Sequence, residues 1–273
     1  MGYKVSAYIP CYNNGVTVLE TIRSLRAQTY PVDEIFLVDD GSKDDSLDKV
    51  KSTGVRLVCH SVNLGRGVVR SEAMKQAKNE LVLSCDANKF LRNYFVEKAL
   101  LWFKDEKVAA VFGSFVPSPS SEVIRRWFFR HLSQKTGIQV QKHKALLVTG
   151  GAIVRKTAVI NSGNYDPSLH YSEDADLGKR LLECGYNVIF DPCLENIASR
   201  KDGLSQVLMR HLRWCGEKNR EVNFRWYVRQ IYHSFKVMAV RDIKAGDFMC
   251  MLISLLSPHY QFWFSWRKKH IYI

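Results

Sequence analysis

Short β-rich apolar runs alternate with helical patterns through the first third of the chain, and this alternation limits the fold more than any other feature. Residues 4–10 read as a strand ending at Pro10, and residues 18–28 as a helix with Leu19, Ile22 and Leu25 at helical spacing, stopped by Tyr30-Pro31. Residues 35–38 suit a buried parallel strand, and Gly41-Ser42 turns the chain into a helix near 46–51. Residues 55–59 form a third strand, 69–78 a third helix behind Gly65 and Gly67, and 81–84 a fourth strand. Such spacing makes βαβ units with right-handed crossovers and a mainly parallel central sheet flanked by helices, an α/β fold.

Further along, residues 93–104 read as a helix, 109–116 as a strand, and Pro117-Ser-Pro-Ser-Ser121 as a loop. Residues 122–134 carry Arg125, Arg126, Trp127, Phe128, Phe129 and Arg130, and are expected to form one side of an acceptor cleft. The run 146–154 contains Gly150-Gly151, where missing side chains let a ligand or backbone come close. Leu177, Leu181 and Leu182 give the helix after Glu173-Asp174 its apolar face, Gly185 ends it, and residues 203–220 read as another helix. The 273 residues suffice for one large α/β domain plus an appendage, and 46% apolar with 25% charged residues argues against disorder. The boundary is expected after residue 220, with 221–273 a basic, aromatic helical region.

Two acidic sets follow strands in this reading, Asp39-Asp40-Gly41-Ser42 and Asp86-Ala87-Asn88, and a third, Ser172-Glu173-Asp174, opens a helix. Carboxylates at the ends of strands in an open α/β sheet converge on the crevice where such folds bind ligands. Singly, each set has a plain structural explanation: an Asp-Gly turn with helix caps for the first, a helix dipole for the third. Together they suit a site that holds a nucleotide, a divalent cation and a proton acceptor.

Val5-Ser-Ala-Tyr-Ile-Pro-Cys-Tyr-Asn13, Leu37-Val-Asp-Asp-Gly-Ser42, Asn63-Leu-Gly65 with Arg70, Asp86 and Glu173-Asp174 occur in the order found in family 2 glycosyltransferases. The chain resembles that family over about residues 3–216, which implies a GT-A fold and an inverting transfer from a nucleotide-diphospho-sugar, with UDP-sugars favoured. The resemblance implies a first loop (Pro10, Tyr12, Asn13) over the base and Asp40 touching it, with Asp39 as second candidate. It places Arg70 near base or phosphates, Asp86 and Ala87 on the donor, and Gly151 beside it. It implies Mg2+ or Mn2+ on Asp86 and Asn88, and Asp174 as the base with Glu173 orienting it or the acceptor. Arg210-His-Leu-Arg-Trp214 is a looser match to a Q-x-x-R-W segment, with Arg210 in place of glutamine, and implies Arg210 and Arg213 on the diphosphate and Trp214 against a sugar. Two positions depart from the family pattern. Asn88 replaces the second aspartate of a D-x-D motif, and residues 196–201 lack a histidine that the family often has there. Both weaken the expected metal site, and Arg200 or Lys201 then becomes a candidate to neutralise the diphosphate.

The formal charge of +13 is uneven, with 14 Lys/Arg against 5 Asp/Glu over residues 200–273. That asymmetry points to a polyanionic partner, and no zinc-finger, RRM or KH signature favours nucleic acid. Phe248–Leu256 is apolar but nine residues long, too short for the roughly 20 needed to span a bilayer. It precedes interfacial aromatics (Tyr260 to Trp266) and Arg267-Lys-Lys269, an order that suits peripheral attachment to an anionic membrane near a glycan or lipid-linked acceptor. Packing as core, or on a second subunit as a homo-oligomer, is the competing expectation. The start of the chain enters a strand without a long apolar segment, from which a cytoplasmic location on the inner membrane face is expected. The seven cysteines include no C-x-x-C pair and are expected to be reduced. A catalytically silent nucleotide-sugar-binding or scaffold protein is the alternative. A nucleotidylyltransferase is disfavoured because the first loop, Pro-Cys-Tyr-Asn-Asn-Gly, lacks a glycine-rich triphosphate signature.

Overall fold

The computed structural model describes residues 2–132, 140–143, 147–215 and 223–271, with the side chains of 213–215 and 268–271 outside the description. The chain divides into two compact units, Met1–Val116 with Gly137–Arg200, and Pro117–Thr136 with Lys201–Ile273.

In the first unit, β1 (Val5–Cys11), β2 (Glu34–Asp39), β3 (Arg56–Cys59) and β4 (Leu81–Ser84) lie parallel in the order β3-β2-β1-β4. β5 (Lys89–Leu91), β6 (Val108–Val116), β7 (Ala152–Arg155) and β8 (Asn187–Ala198) extend the sheet as β7-β6-β8-β5. β7 is antiparallel to both β4 and β6, β6 and β8 are parallel, and β5 is an antiparallel edge on β8. The expected α/β fold with a mostly parallel sheet is present.

Side-chain alternation on β1 sorts the core into two layers. Val5, Ala7, Ile9 and Cys11 face α1 (Val18–Arg26), whose Val18, Ile22 and Leu25 are buried. Tyr8 faces the other way, into a cluster with Phe36, Val69, Ala73 and Met74. The helices after the intervening strands are α2 (Ser46–Lys51), α3 (Arg66–Gln76) and α4 (Phe95–Leu100), the last running into a 3-10 turn at Leu101–Lys104. That break shortens the helix expected over 93–104. β5 and β8 were not anticipated, because a three-residue strand and a strand interrupted by Asp191-Pro192 leave little periodic signal.

The second unit is helical. α5 (Glu122–His131) is capped by the Ser121 hydroxyl, which accepts from the Ile124 amide. Its Trp127 and Phe128 are buried, and Arg126 and Arg130 are tied to Asp247 and Asp242. In the described part of the expected cleft wall Trp127 and Phe128 are therefore core while Arg125 and Phe129 are exposed, and residues 133–134 lie outside the description. α6 (Lys156–Asn161) and α7 (Glu173–Glu183) return to the first unit. α8 (Leu204–Cys215) covers the described part of the helix expected over 203–220, and residues 216–220 lie outside it. α9 (Phe224–His233), capped by Asn223, continues through a π-helical turn at Ser234–Ala239 into α10 (Val240–Lys244). α11 (Phe248–Ile271) absorbs the nine-residue apolar run into a 24-residue helix. Its inner side buries Cys250, Ser254, Ser257 and Gln261, and Ser254 joins Trp127 Nε1 (2.9 Å) to Asp242 (2.6 Å). Burying a side chain the size of Trp127 contributes upwards of about 2 kcal/mol.

Candidate functional site

The strand order reverses between β1 and β4, which opens the crevice at their C-terminal ends. The loops there are stitched together. Ala87 N donates to the Pro10 carbonyl (3.4 Å), and the Thr17 hydroxyl donates to the Ala87 carbonyl (2.8 Å). Tyr12 is exposed, and Asn13 holds a left-handed φ of 53° while its carboxamide accepts from the Lys43 amide. The first loop thus lies against both acidic sets.

Asp39 and Asp40 are buried and already bonded. Asp39 accepts from the Ser42 amide (2.9 Å) and hydroxyl (2.5 Å). Asp40 Oδ1 takes the Leu64 amide (2.9 Å) and pairs with His60 (2.9 Å), and Oδ2 takes the Gly65 amide (2.9 Å). Gly65 is required here: its φ is +95°, and a Cβ would stand 2.3 Å from the His170 ring nitrogen. Asp40 Oδ2 keeps one acceptor position for a further donor.

Arg70 is the centre of the arrangement. Its side chain is 3% exposed, with Nε on Glu173 Oε1 (2.9 Å) and Nη2 on Asp86 Oδ1 (3.0 Å). Nη1 donates to the Tyr8 hydroxyl (3.1 Å) and the Ser84 hydroxyl (2.8 Å). Burial opposes its charge, but Tyr8, Asp86 and Glu173 outweigh burial and keep the guanidinium protonated. One arginine therefore fastens the strand-end aspartate to the acidic pair on α7. Ser84 escaped the sequence reading. Its signal was a hydroxyl at the end of the apolar run of β4.

Glu173 is fully buried, while Asp174 beside it is half-buried. Asp174 accepts from the Ala175 amide (2.9 Å) and from the Thr149 amide (3.3 Å) and hydroxyl (3.4 Å). Burial raises the Asp174 carboxyl, the neighbouring Glu173 raises it further, and Arg70 with the two amides offsets part of this. Ser172, which precedes the pair, holds a left-handed φ of 61° without a side-chain cap bond, a strained turn of the kind found at active sites.

Asp86 sits between cations. Burial alone would raise its carboxyl, but Arg70, Lys89 and Arg66 together hold it well below the usual carboxylate range. Asn88 is exposed, and its carbonyl accepts from the Ser199 amide (3.0 Å), so the stretch that lacks the family's histidine does lie beside Asn88. Divalent Mg2+ and Mn2+ favour several oxygen ligands and negative charge. Here one carboxylate faces Arg70 on one oxygen and Lys89 on the other, and the second motif position is a neutral amide. Among the described residues no cluster of three His, Cys, Asp or Glu side chains suits a metal. These donors do not fit a resident divalent cation. Asn88→Asp is expected to tighten Mn2+ binding at least about tenfold in calorimetry without nucleotide, since it restores one charge next to the ion. Equal affinity in both proteins would show that position 88 does not face a cation.

Gly151 lies against Asn196, whose Cβ would be 2.6 Å from a Cβ placed at residue 151. Arg210, in the second unit, is bound to Asp202 at 2.5 and 3.1 Å, and the side chains of Arg213 and Trp214 lie outside the described residues. Of the six described cysteines, all free, Cys11, Cys85 and Cys250 are buried and Cys59, Cys184 and Cys193 are exposed.

A mixed α/β sheet with acidic residues at the mouth between β1, β4 and α7 is the architecture of a GT-A glycosyltransferase. The chain matches the model of glycosyl transferase family 2 over residues 6–163, and it belongs to that family. Hyaluronan synthase of Streptococcus pyogenes is 34% identical over 122 residues, 41% of this chain and 29% of that protein. Poly-beta-1,6-N-acetyl-D-glucosamine synthase of Staphylococcus epidermidis is 30% identical over 118 residues, 40% of this chain and 28% of that protein. The chain thus spans well under half the length of these curated relatives. Among solved structures, GalNAc-T7 with UDP, GalNAc and Mn2+ superposes with a TM-score of 0.60 at 17% identity, covering 85% of this chain and 50% of that one. S. aureus TarS gives 0.58 at 17% identity, covering 86% and 46%. These likenesses bear out the GT-A fold.

Proposed function

We propose that this chain transfers a hexose-type sugar from a nucleotide-diphospho-sugar, a UDP-sugar by preference, to an acceptor hydroxyl with inversion, in polysaccharide or glycolipid assembly. The observation that carries this reading is the half-open Asp174 carboxylate beside buried Glu173, tied through Arg70 to Asp86 in one crevice. Asp174 takes the acceptor proton as the acceptor oxygen attacks the anomeric carbon opposite the leaving diphosphate. Glu173, fixed by Arg70, orients Asp174 and raises its basicity. Asp40 offers its open Oδ2 position to the base N–H, with Asp39 as second candidate, and Pro10, Tyr12, Asn13 and Ala87 line the nucleoside side. Arg210, Arg213 and Trp214 are candidates for the diphosphate and acceptor. The test is a hydrolysis and transfer screen against UDP-, GDP- and dTDP-sugars, with and without Mn2+. Turnover of one class supports the reading, and binding without turnover identifies a catalytically silent nucleotide-sugar-binding protein instead.

The second unit supports attachment to an anionic membrane surface, on the inner face of a cytoplasmic membrane. On α9 and its π turn, Phe224, Val228, Tyr232 and Phe235 are exposed at helical spacing, and on α11 so are Phe248, Leu252, Leu256, Trp263 and Trp266. Arg225, Arg229, Lys236, Arg241, Lys244 and Arg267 are exposed around them, while Asp242 and Asp247 are both turned inward onto arginines. An apolar stripe with basic flanks and no outward acid among the described residues of these helices suits anionic lipid. No helix among the described residues is long and apolar enough to cross a membrane. The full chain is expected to float with phosphatidylserine vesicles at low salt and not with neutral ones. A Phe248→Ser, Leu252→Ser, Leu256→Ser triple variant should fold and stay at the bottom of the gradient. Flotation unchanged in that variant would rule out α11 as the anchor, and concentration-dependent dimers that dissociate in the variant would mark the stripe as a subunit contact.

A further inference from the structure

We propose that the ε-ammonium of Lys89 is the cation that meets the leaving diphosphate, which makes donor binding independent of metal. The inference rests on the transferase reading above. Lys89 follows the Asp86-Ala87-Asn88 motif directly, and it opens β5, where its backbone pairs with Ala198. The side chain turns back into the crevice. Nζ stands 3.7 Å from Asp86 Oδ2 and 4.8 Å from the Phe115 ring centroid, with the side chain 14% exposed. Space for it exists because residue 150 has no side chain: a Cβ there would lie 2.0 Å from Nζ and 3.1 Å from Asp86 Oδ2. The ammonium thus lies beside the one motif carboxylate, where Asn88 leaves a negative charge missing.

The charge balance follows from this arrangement. Four of the five N–H donors of Arg70 go to Glu173, Asp86, Tyr8 and Ser84, and the guanidinium neutralises charge that the protein itself carries. The Lys89–Asp86 contact of 3.7 Å is longer than either Arg70 ion pair, and an ammonium can redirect its three donors where a fixed guanidinium cannot. When the bond from the anomeric carbon to the diphosphate oxygen breaks, the electron pair stays on that oxygen. The acceptor oxygen bonds to the carbon, and its proton passes to Asp174. Lys89 keeps its own protons throughout and stabilises the new charge by hydrogen bonding, from a position fixed before the reaction begins.

The experiment is calorimetric binding of UDP and UMP, with GDP and dTDP in parallel, in excess EDTA and again in Mn2+. The wild-type protein should bind a nucleoside diphosphate more tightly than the monophosphate in EDTA, with little gain from Mn2+. Lys89→Met should lose that diphosphate preference, by tenfold or more, with monophosphate affinity and melting temperature unchanged. Lys89→Arg should keep most of it. Gly150→Ala, which retains the lysine but fills its space, should lose it as Lys89→Met does. Diphosphate binding by the wild type only with Mn2+, or an unchanged preference in Lys89→Met, overturns the proposal while the transferase reading stands. No binding of any nucleotide under either condition removes both.

Discussion

Asp174→Asn is expected to lower transfer by about 10²–10⁴-fold while nucleotide-sugar affinity stays near wild type. An asparagine keeps one of the two amide contacts, with Thr149 or Ala175, through its single carboxamide oxygen, and it cannot accept the acceptor proton. The pH profile supplies a second reading. Burial and then Glu173 raise the Asp174 carboxyl, so the acid limb of kcat/KM should fall above the ordinary carboxylate range. The stability effect has the opposite sign to that of a salt-bridged aspartate. A raised folded pKa favours the fold below the unfolded value, and this contribution is lost as pH rises through the folded value. Asp174→Asn should therefore leave the fold as stable or more so at neutral pH. Wild-type turnover in the variant would remove Asp174 from the chemistry.

Arg70→Met should be the most destabilising single change in the first unit, costing about 3–5 kcal/mol in urea unfolding, because it strands buried carboxylates without a cation. Glu173 is the more exposed to this loss in energetic terms, since its side chain is only 3% accessible and Arg70 is its ion-pair partner. Adding Glu173→Gln to Arg70→Met should recover part of the stability, the signature of two residues in one network. Activity should not return, because neither the orientation of Asp174 nor the tie to Asp86 is rebuilt. A wild-type urea midpoint for Arg70→Met would show that the network contributes nothing to the fold.

How much of this was legible follows from the reach of each signal. β1 to β4 and α1 to α3 were readable because each pairs a short apolar run with a helix at near-regular spacing, and the acidic sets stand at their ends. The edge strand β5 was not, since Lys89–Leu91 carries only three residues and its partner lies on β8. Residues 122–134 read as a cleft wall because arginines among aromatics suggest a ligand surface, but Arg126 and Arg130 are held by Asp247 and Asp242, over a hundred residues later. The roles of Arg70 and Lys89 also depended on long-range geometry. Sequence placed Arg70 on the right helix, but only the fold shows both its carboxylate partners. Lys89 carried no signal in the sequence, because the missing side chain at Gly150 that gives it room is brought beside it only by the fold.

The pairing of β5 with β8 has a consequence for synthesis. The strand that carries Lys89 finds its hydrogen-bonding partner in Asn196–Ala198, about a hundred residues later in the chain. Strands β1 to β4 can assemble through nearby crossovers as they leave the ribosome, but a contact of such long sequence separation closes late. The end of the crevice that holds Lys89 is therefore completed only after β8 has emerged and docked. A nascent chain ending before residue 196 would display the acidic motifs without this wall of the crevice.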